Sequence, residues 1–419
     1  MREKTLDVYY KGHLVGTMEE THDQLIAFQY SDDWIKNGFA ISPFSLPLES
    51  RVFLPEPESR KNFNGLFGVF ADSLPDSWGE LLLDKYLQSI DISRDSISTL
   101  DRLAYVGNSG MGALEYYPSK TKDYSFDGLD YDSIAKECQI ILSSKTPDQL
   151  NLLYKLGGSS GGSRPKIFLK ENEEEWIIKF PMREDDKNSG KKEYDYSLCA
   201  KKCGIKMTDT QLIPSKLCEG YFKTKRFDRE KGEKILSITF AGLLEVDFRA
   251  PSCDYDHFMK LVNVLTYEDK QQIEQMFRIM CFNVFSHNLD DHTKNFSFLR
   301  KNDRWQLAPA YDLTYSNTYY GEHTTSVNGK GKGIQENDLL CVGIKAGLKM
   351  NQCKDIIKEI KNNIKILDQY LGKQQKNQLG QININEKIKE VSDNSKQSQK
   401  KNQNSKRKNQ NKNKNDGTI

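Results

Sequence analysis

Two acidic loops joined by one short hairpin constrain this chain more than any other feature. The stretch from about 257 to 285 is rich in Phe, Met, Ile and Leu at helical spacing, which predicts two buried helices. At His287 the pattern breaks into the polar loop SHNLDDHTKN (286–295). NFSFLR, a KND turn and RWQLAPAYDL then predict a β-hairpin feeding a second acidic loop. The hairpin thereby brings Asp312 toward Asp290 and Asn295.

That set has a chemical meaning. Phosphoryl transfer asks for positioning and charge stabilisation: one carboxylate to orient and deprotonate a hydroxyl, a second carboxylate and an amide oxygen to hold Mg²⁺ on the phosphates. Asp290 and Asn295 reproduce the D-x-x-x-x-N spacing of a kinase catalytic loop, with Asp312 as the main metal ligand and Asn295 the second. Lys294 is expected to add positive charge near the transferred group. His292 is expected to organise the loop by hydrogen bonding rather than to react. DDH alone would be an ordinary solvated loop; the rest of the arrangement argues otherwise. A competing metal-hydrolase cluster of His287, Asp290, Asp291 and His292 leaves Asp312 and the upstream motifs unexplained.

The upstream half is expected to bind ATP. LGGSSGGSRPK (156–166) is not a Walker A loop, because no GK[ST] follows its glycines. Its Gly158, Ser159, Ser160, Gly161 and Gly162 are placed to cover phosphates with backbone N–H groups. Strands IFLK (167–170) and WIIKF (176–180) follow, and Lys179 is expected to reach the α/β-phosphates. On the next helix, where Tyr194, Leu198 and Cys199 are expected to share a face, Glu193 is expected to pair with that lysine. Phe227, in KTKRFDR (223–229), is either an adenine neighbour or a core aromatic.

Four segments follow from composition and patterning. Residues 1–125 predict an α+β unit: alternation from Leu6 to about Thr17 around Lys11-Gly12, a strand LIAFQY (25–30), and a leucine-rich helix capped by Asp76 or Ser77. Residues 126–228 carry the Gly-rich loop, and 229–371 are mostly helical, ending in an amphipathic helix over 354–371. The tail, 372–419, is dominated by Asn, Gln, Lys and Ser and is expected to be disordered. From Lys396 onward eight Lys/Arg oppose only Asp416, so that stretch carries +7 and the rest of the chain −5 of a net +2. A basic tail can meet nucleic-acid phosphates nonspecifically, or have no dedicated role. The eight cysteines are scattered and read as reduced thiols, with Cys199 and Cys203 a buried pair on one helix face. No membrane span or secretory signal is evident, so a cytoplasmic protein is expected.

Taken together, GGSSGGSRPK, IIKFP, KRFDR, LDDHTKNFSFL and LAPAYDL resemble the HipA family of toxin serine/threonine kinases from bacterial type II toxin–antitoxin modules. The resemblance runs from KGHLVGTM and SLPDSWGELLL in the first unit to the helix ending near Leu371. It implies a protein-kinase-like two-lobed fold with an N-terminal subdomain, Asp290 as catalytic base, Asn295 and Asp312 as Mg²⁺ ligands, Lys179 on ATP and Phe227 beside adenine. It implies autophosphorylation as an off-switch, on Ser159 by alignment of the loop, with Ser160 or Ser163 as alternatives. A protein substrate such as an aminoacyl-tRNA synthetase and a helix-turn-helix, HipB-like antitoxin acting on operator DNA are implied too. The alternative from another class is a catalytically weak ATP-binding corepressor.

Overall fold

The computed structural model describes residues 3–120, 130–318 and 320–372; the basic tail from 373 onward lies outside them. Residues up to Leu371 form one compact unit. Its architecture is mixed α/β, several antiparallel sheets with helices packed against them.

The predicted first hairpin is Thr5–Tyr10 and His13–Glu20, turned at Lys11 and Gly12, both at positive φ. Two such residues match the right-handed strand twist. Those strands sit inside a five-stranded antiparallel sheet, ordered Val52–Phe53, Ile26–Tyr30, His13–Glu20, Thr5–Tyr10, Leu114–Tyr117. Alternate residues Leu6, Val8, Met18, Phe28 and Tyr30 are buried on one side, as a period of two requires.

The leucine-rich helix is Ser77–Ser89. Its Trp78 and Leu82 enter one cluster with Ile134, Cys138, Leu153, Ile167, Ile178 and Phe180, so the core runs continuously across residue 125. Burial of each such large side chain is worth about 1.5–3 kcal/mol. Beside it, Tyr86 stacks on Tyr154 of the Leu150–Gly157 helix at 4.2 Å.

The second sheet positions the site. Its order is Lys166–Glu171, Glu174–Lys179, Tyr221–Lys225, Thr210–Ile213, all antiparallel. Against it lies the Ser189–Lys202 helix, whose buried face is Glu193, Tyr196, Ser197, Cys199 and Ala200. Leu198, expected inward, is exposed, because the inward stripe falls one residue to either side of it. Cys199 and Cys203 are both buried.

The helices expected over 257–285 are Tyr255–Leu265 and Lys270–Ser286. The second ends at His287 in the left-handed region, which turns the chain into the acidic loop. The hairpin Ser297–Lys301 and Arg304–Leu307 follows as expected, joined by Ser237–Thr239 in a three-stranded sheet. The last amphipathic segment starts earlier than its stripe suggested, at Met350, and tightens after Asn363 into a 3₁₀ turn, Ile364–Leu367. Ile356, Ile357, Ile360, Ile364, Leu367 and Leu371 are nevertheless all buried.

Candidate active site

The hairpin of the second sheet turns at Asn172 and Glu173, and its symmetric register sets Lys166 directly opposite Lys179. Directly opposed residues project from the same face, so two lysines point one way. Lys179 Nζ donates to Glu193 Oε1 at 2.6 Å and to Asp312 Oδ1 in a shorter bond. Burial works against its charge, but the Asp312 and Glu193 carboxylates outweigh it and raise its pKa. Asp312 is held below the usual carboxylate range in spite of burial, by Lys179 and then Lys166. Lys166, without a carboxylate of its own, is pushed down to about 8 by burial and by the neighbouring Lys179 charge. Its ammonium donates to Gly161 O at 2.5 Å.

Asp312 itself sits at φ +56°, in the left-handed region that Asp tolerates better than most residues. The segment before it is pinned by Ala310 N donating to Lys206 O at 2.8 Å, and Tyr311 donates to Lys294 O at 2.7 Å. The second acidic loop is thus tied to the first by a side chain as well as by the hairpin.

Asp290 opens onto a cavity of about 350 Å³ that Asp312, Lys179, Lys166, Arg164 and Ser163 also line. Its side chain is more than half exposed, yet withdrawal from water by the surrounding walls raises its pKa, Asp312 adding to the effect against His292. Asn295 donates its amide nitrogen to Asp290 O at 2.7 Å and is not among the residues that line the cavity. One carboxylate and one amide oxygen are a donor set suited to Mg²⁺, which takes few protein ligands and keeps water and phosphate oxygens.

The other expected residues separate into those at the cavity and those behind it. Gly162 and Ser163 line it. Gly158, Ser159 and Ser160 are buried against the N-terminal unit instead: Ser159 Oγ donates to Ser109 O at 3.0 Å, and Gly79 lies against the carbonyls of Gly158 and Ser160. Gly161 lies beside Asp76. Phe227, half-buried, stacks on Tyr311 at 4.9 Å and packs against Ile235, Leu299 and Ala308. Lys294 pairs with Asp76 at 2.6 Å rather than lining the cavity.

His292 is a correction. Its Nδ1 is buried without a partner, its Nε2 is 3.8 Å from Asp290, and its ring rests on Phe248. The loop is organised by Asp291 instead. That fully buried carboxylate accepts from Tyr255 Oη at 2.9 Å and Thr325 N at 3.1 Å, and bonds His323 Nδ1 at 2.9 Å. Asp291 is thereby spent internally, His287 bonds Asn317, and among the described residues no group of three His, Cys, Asp or Glu is set to hold a metal. The hydrolase cluster does not form.

Sequence reasoning also missed Lys166, Asp76 and the clamp in KRFDR. The near-perfect symmetry of the 166–179 hairpin about its turn was a legible signal for Lys166. Arg226 and Arg229 are buried, reach Gly110 O at 3.0 Å each, and share Asp228. No local pattern announces those contacts, because they join segments more than 100 residues apart.

Comparison with known proteins gives this geometry its class. Residues 6–117 match the family model for the HipA N-terminal domain and residues 158–366 the HipA-like C-terminal domain. The chain belongs to the HipA family. Among solved structures it is similar to the HipA of Shewanella oneidensis MR-1, from a complex with HipB and operator DNA: 15% identity, TM-score 0.65, covering 90% of this chain and 94% of that one. The proinflammatory kinase CtkA of Helicobacter pylori aligns at 15% identity and TM-score 0.33 over 51% of this chain and 90% of its own. No curated protein matched.

Proposed function

We propose that this chain is an ATP-dependent serine/threonine protein kinase acting as a HipA-type toxin. The observation that carries the reading is the face shared by Lys179 and Lys166, closed by Asp312 and opening onto Asp290. Opposed like charges destabilise a sheet unless an anion answers them. Here both carboxylates, Glu193 and Asp312, bond Lys179, whereas Lys166 meets only the Gly161 carbonyl and faces the cavity, which leaves that ammonium receptive to a phosphate.

In this reading the ATP phosphates lie along Lys179 and Lys166, beneath the Gly-rich loop. Asn295 and Asp312 would hold Mg²⁺, which when bound neutralises charge on the β- and γ-phosphates. Asp290 takes the proton of a substrate hydroxyl as its oxygen bonds the γ-phosphorus and the bond to the β-phosphate oxygen breaks, leaving ADP. A raised pKa makes the Asp290 carboxylate a stronger base than a free aspartate, as a proton acceptor requires.

The off-switch fits the loop. A phosphate on buried Ser159 has no room against Ser109, so modification there goes with release of the loop; Ser163 is the loop serine already facing the cavity. The partners in this reading are a HipB-like helix-turn-helix antitoxin, through it operator DNA, and a protein substrate such as an aminoacyl-tRNA synthetase, met in the cytoplasm. Among the described residues no helix is long and apolar enough to cross a membrane.

The test is phosphoproteomics of cells expressing wild type or Asp290→Ala, with purified protein assayed beside them. The expectation is Mg-ATP-dependent autophosphorylation and at least one substrate site, both absent from the variant. Identical, phosphate-free outcomes for the two proteins sink the kinase reading and leave the corepressor role.

A further inference from the structure

Asp76 stands at the N-cap position of the Ser77–Ser89 helix, where a carboxylate ordinarily accepts from the first-turn N–H groups. It makes no such bond. Both oxygens are turned across to the other half of the molecule: Oδ2 accepts from Gly162 N at 3.0 Å, and Oδ1 pairs with Lys294 Nζ at 2.6 Å. The same helix start meets the Gly-rich loop through its backbone, Asp76 N donating to Ser160 O and Trp78 N to Gly162 O, each at 3.3 Å. Gly79 is there because a Cβ would sit 2.6 Å from Ser160 O.

Lys294 is held from its other side by the Phe248 ring, 4.6 Å away. It neighbours Asn295 and lies four residues from Asp290. A single carboxylate of the N-terminal unit therefore touches the loop expected to cover phosphates and the lysine beside the catalytic carboxylate.

We propose that Asp76 is a positioning residue of the phosphotransfer centre, fixing the Gly-rich loop and the Lys294 ammonium in one mutual arrangement; this rests on the kinase reading above. The N-terminal unit then completes the active site rather than merely accompanying it. Asp76 stays anionic, as that role requires, because Lys294 and the Gly162 N–H outweigh the burial that opposes its charge and keep its pKa low. A second carboxylate on the same segment, Asp72, accepts from Thr239 N at 2.7 Å and Thr239 Oγ1 at 2.8 Å, so the segment is anchored independently of Asp76. That anchor lets Asp76 be changed without undocking the unit.

Full-length wild type, Asp76→Asn, Lys294→Met and the double variant are compared by steady-state kinetics with Mg-ATP. Asn keeps the volume and an acceptor for Gly162 but removes the negative charge that pairs with Lys294. The expected result is a fall in kcat of about tenfold or more with a smaller change in KM for ATP, as for a misplaced charged group. In the Lys294→Met background the Asp76→Asn effect on kcat should vanish. Independent, multiplying effects overturn the proposal, as does an Asp76→Asn enzyme with wild-type kcat. Amide hydrogen exchange supplies a readout apart from turnover: in Asp76→Ala the loop around Gly162 should exchange about tenfold faster or more, with the Lys270–Ser286 helix unchanged. Unchanged loop exchange also overturns it. Failure of wild type to transfer phosphate would strike the kinase reading itself, which these variants leave distinguishable.

Discussion

Replacing Asp228 with Asn asks whether charge holds the buried clamp of KRFDR together. Asp228 is fully buried and accepts from Arg226 Nε at 3.0 Å, Arg226 Nη2, Arg229 Nη1 and Gly112 N, the last three at 2.7 Å. Burial alone would raise its pKa; the two guanidiniums outweigh that and bring it down to about 2. The guanidiniums respond unequally. Asp228 raises Arg226 despite burial, whereas burial and the charge of Arg226 lower Arg229. One carboxylate cannot neutralise two cations, and Glu175, at 3.4 Å and 3.2 Å, supplies the remainder. Against an unfolded value of about 3.9, a folded value two units lower corresponds to about 2.5 kcal/mol of stability at neutral pH. Breaking a buried pair while its partners stay charged costs about 3–5 kcal/mol. The expected loss in Asp228→Asn is therefore about 3 kcal/mol at pH 7. Because the folded pKa is depressed, this contribution is complete above the unfolded pKa, about 4, and disappears as pH falls toward the folded one. Urea unfolding of both proteins from about pH 7 to about pH 2.5 reads the difference as a gap between midpoints. A gap below about 1 kcal/mol at pH 7, or one that does not narrow below about pH 4, refutes the assignment of the clamp to charge.

Two further outcomes follow from the same geometry. Asp291→Asn should leave ATP affinity near wild type while kcat falls about tenfold or more, because it loosens the loop carrying Asp290 without touching the phosphate face; loss of ATP binding with unchanged kcat would contradict this. Gly79→Ala places a Cβ 2.6 Å from the Ser160 carbonyl, so it should cost about 1–3 kcal/mol in unfolding experiments and weaken nucleotide binding; a variant as stable and as tight as wild type would show that the loop is not seated there.

The elements of this protein were legible from sequence where their signals are local. Period-two alternation around Lys11-Gly12, the apolar run ending at His287, and the KND turn each fix a strand, a helix end or a hairpin within a dozen residues. The spacing from Asp290 to Asn295 was legible for the same reason. The hairpin that follows is short, so Asp312 has little freedom in where it returns. The Lys179 to Glu193 pair was readable too, since a strand and the helix after it meet at 2.6 Å across only fourteen residues.

Tertiary structure decided what depends on distant segments. It assigned the organising role to Asp291 rather than His292, because the partners Tyr255 and His323 lie 36 and 32 residues away. It turned Ser159 and Ser160 away from the cavity, and it gave Lys294 to Asp76, 218 residues upstream. Sequence by itself determined which groups the proposed phosphotransfer centre is drawn from, because spacing along a strand, turn or helix is set by backbone geometry. Which of those groups face the cavity, and which hold their neighbours in place, was settled only by packing, since burying a charge obliges the fold to find it a partner wherever in the chain one lies.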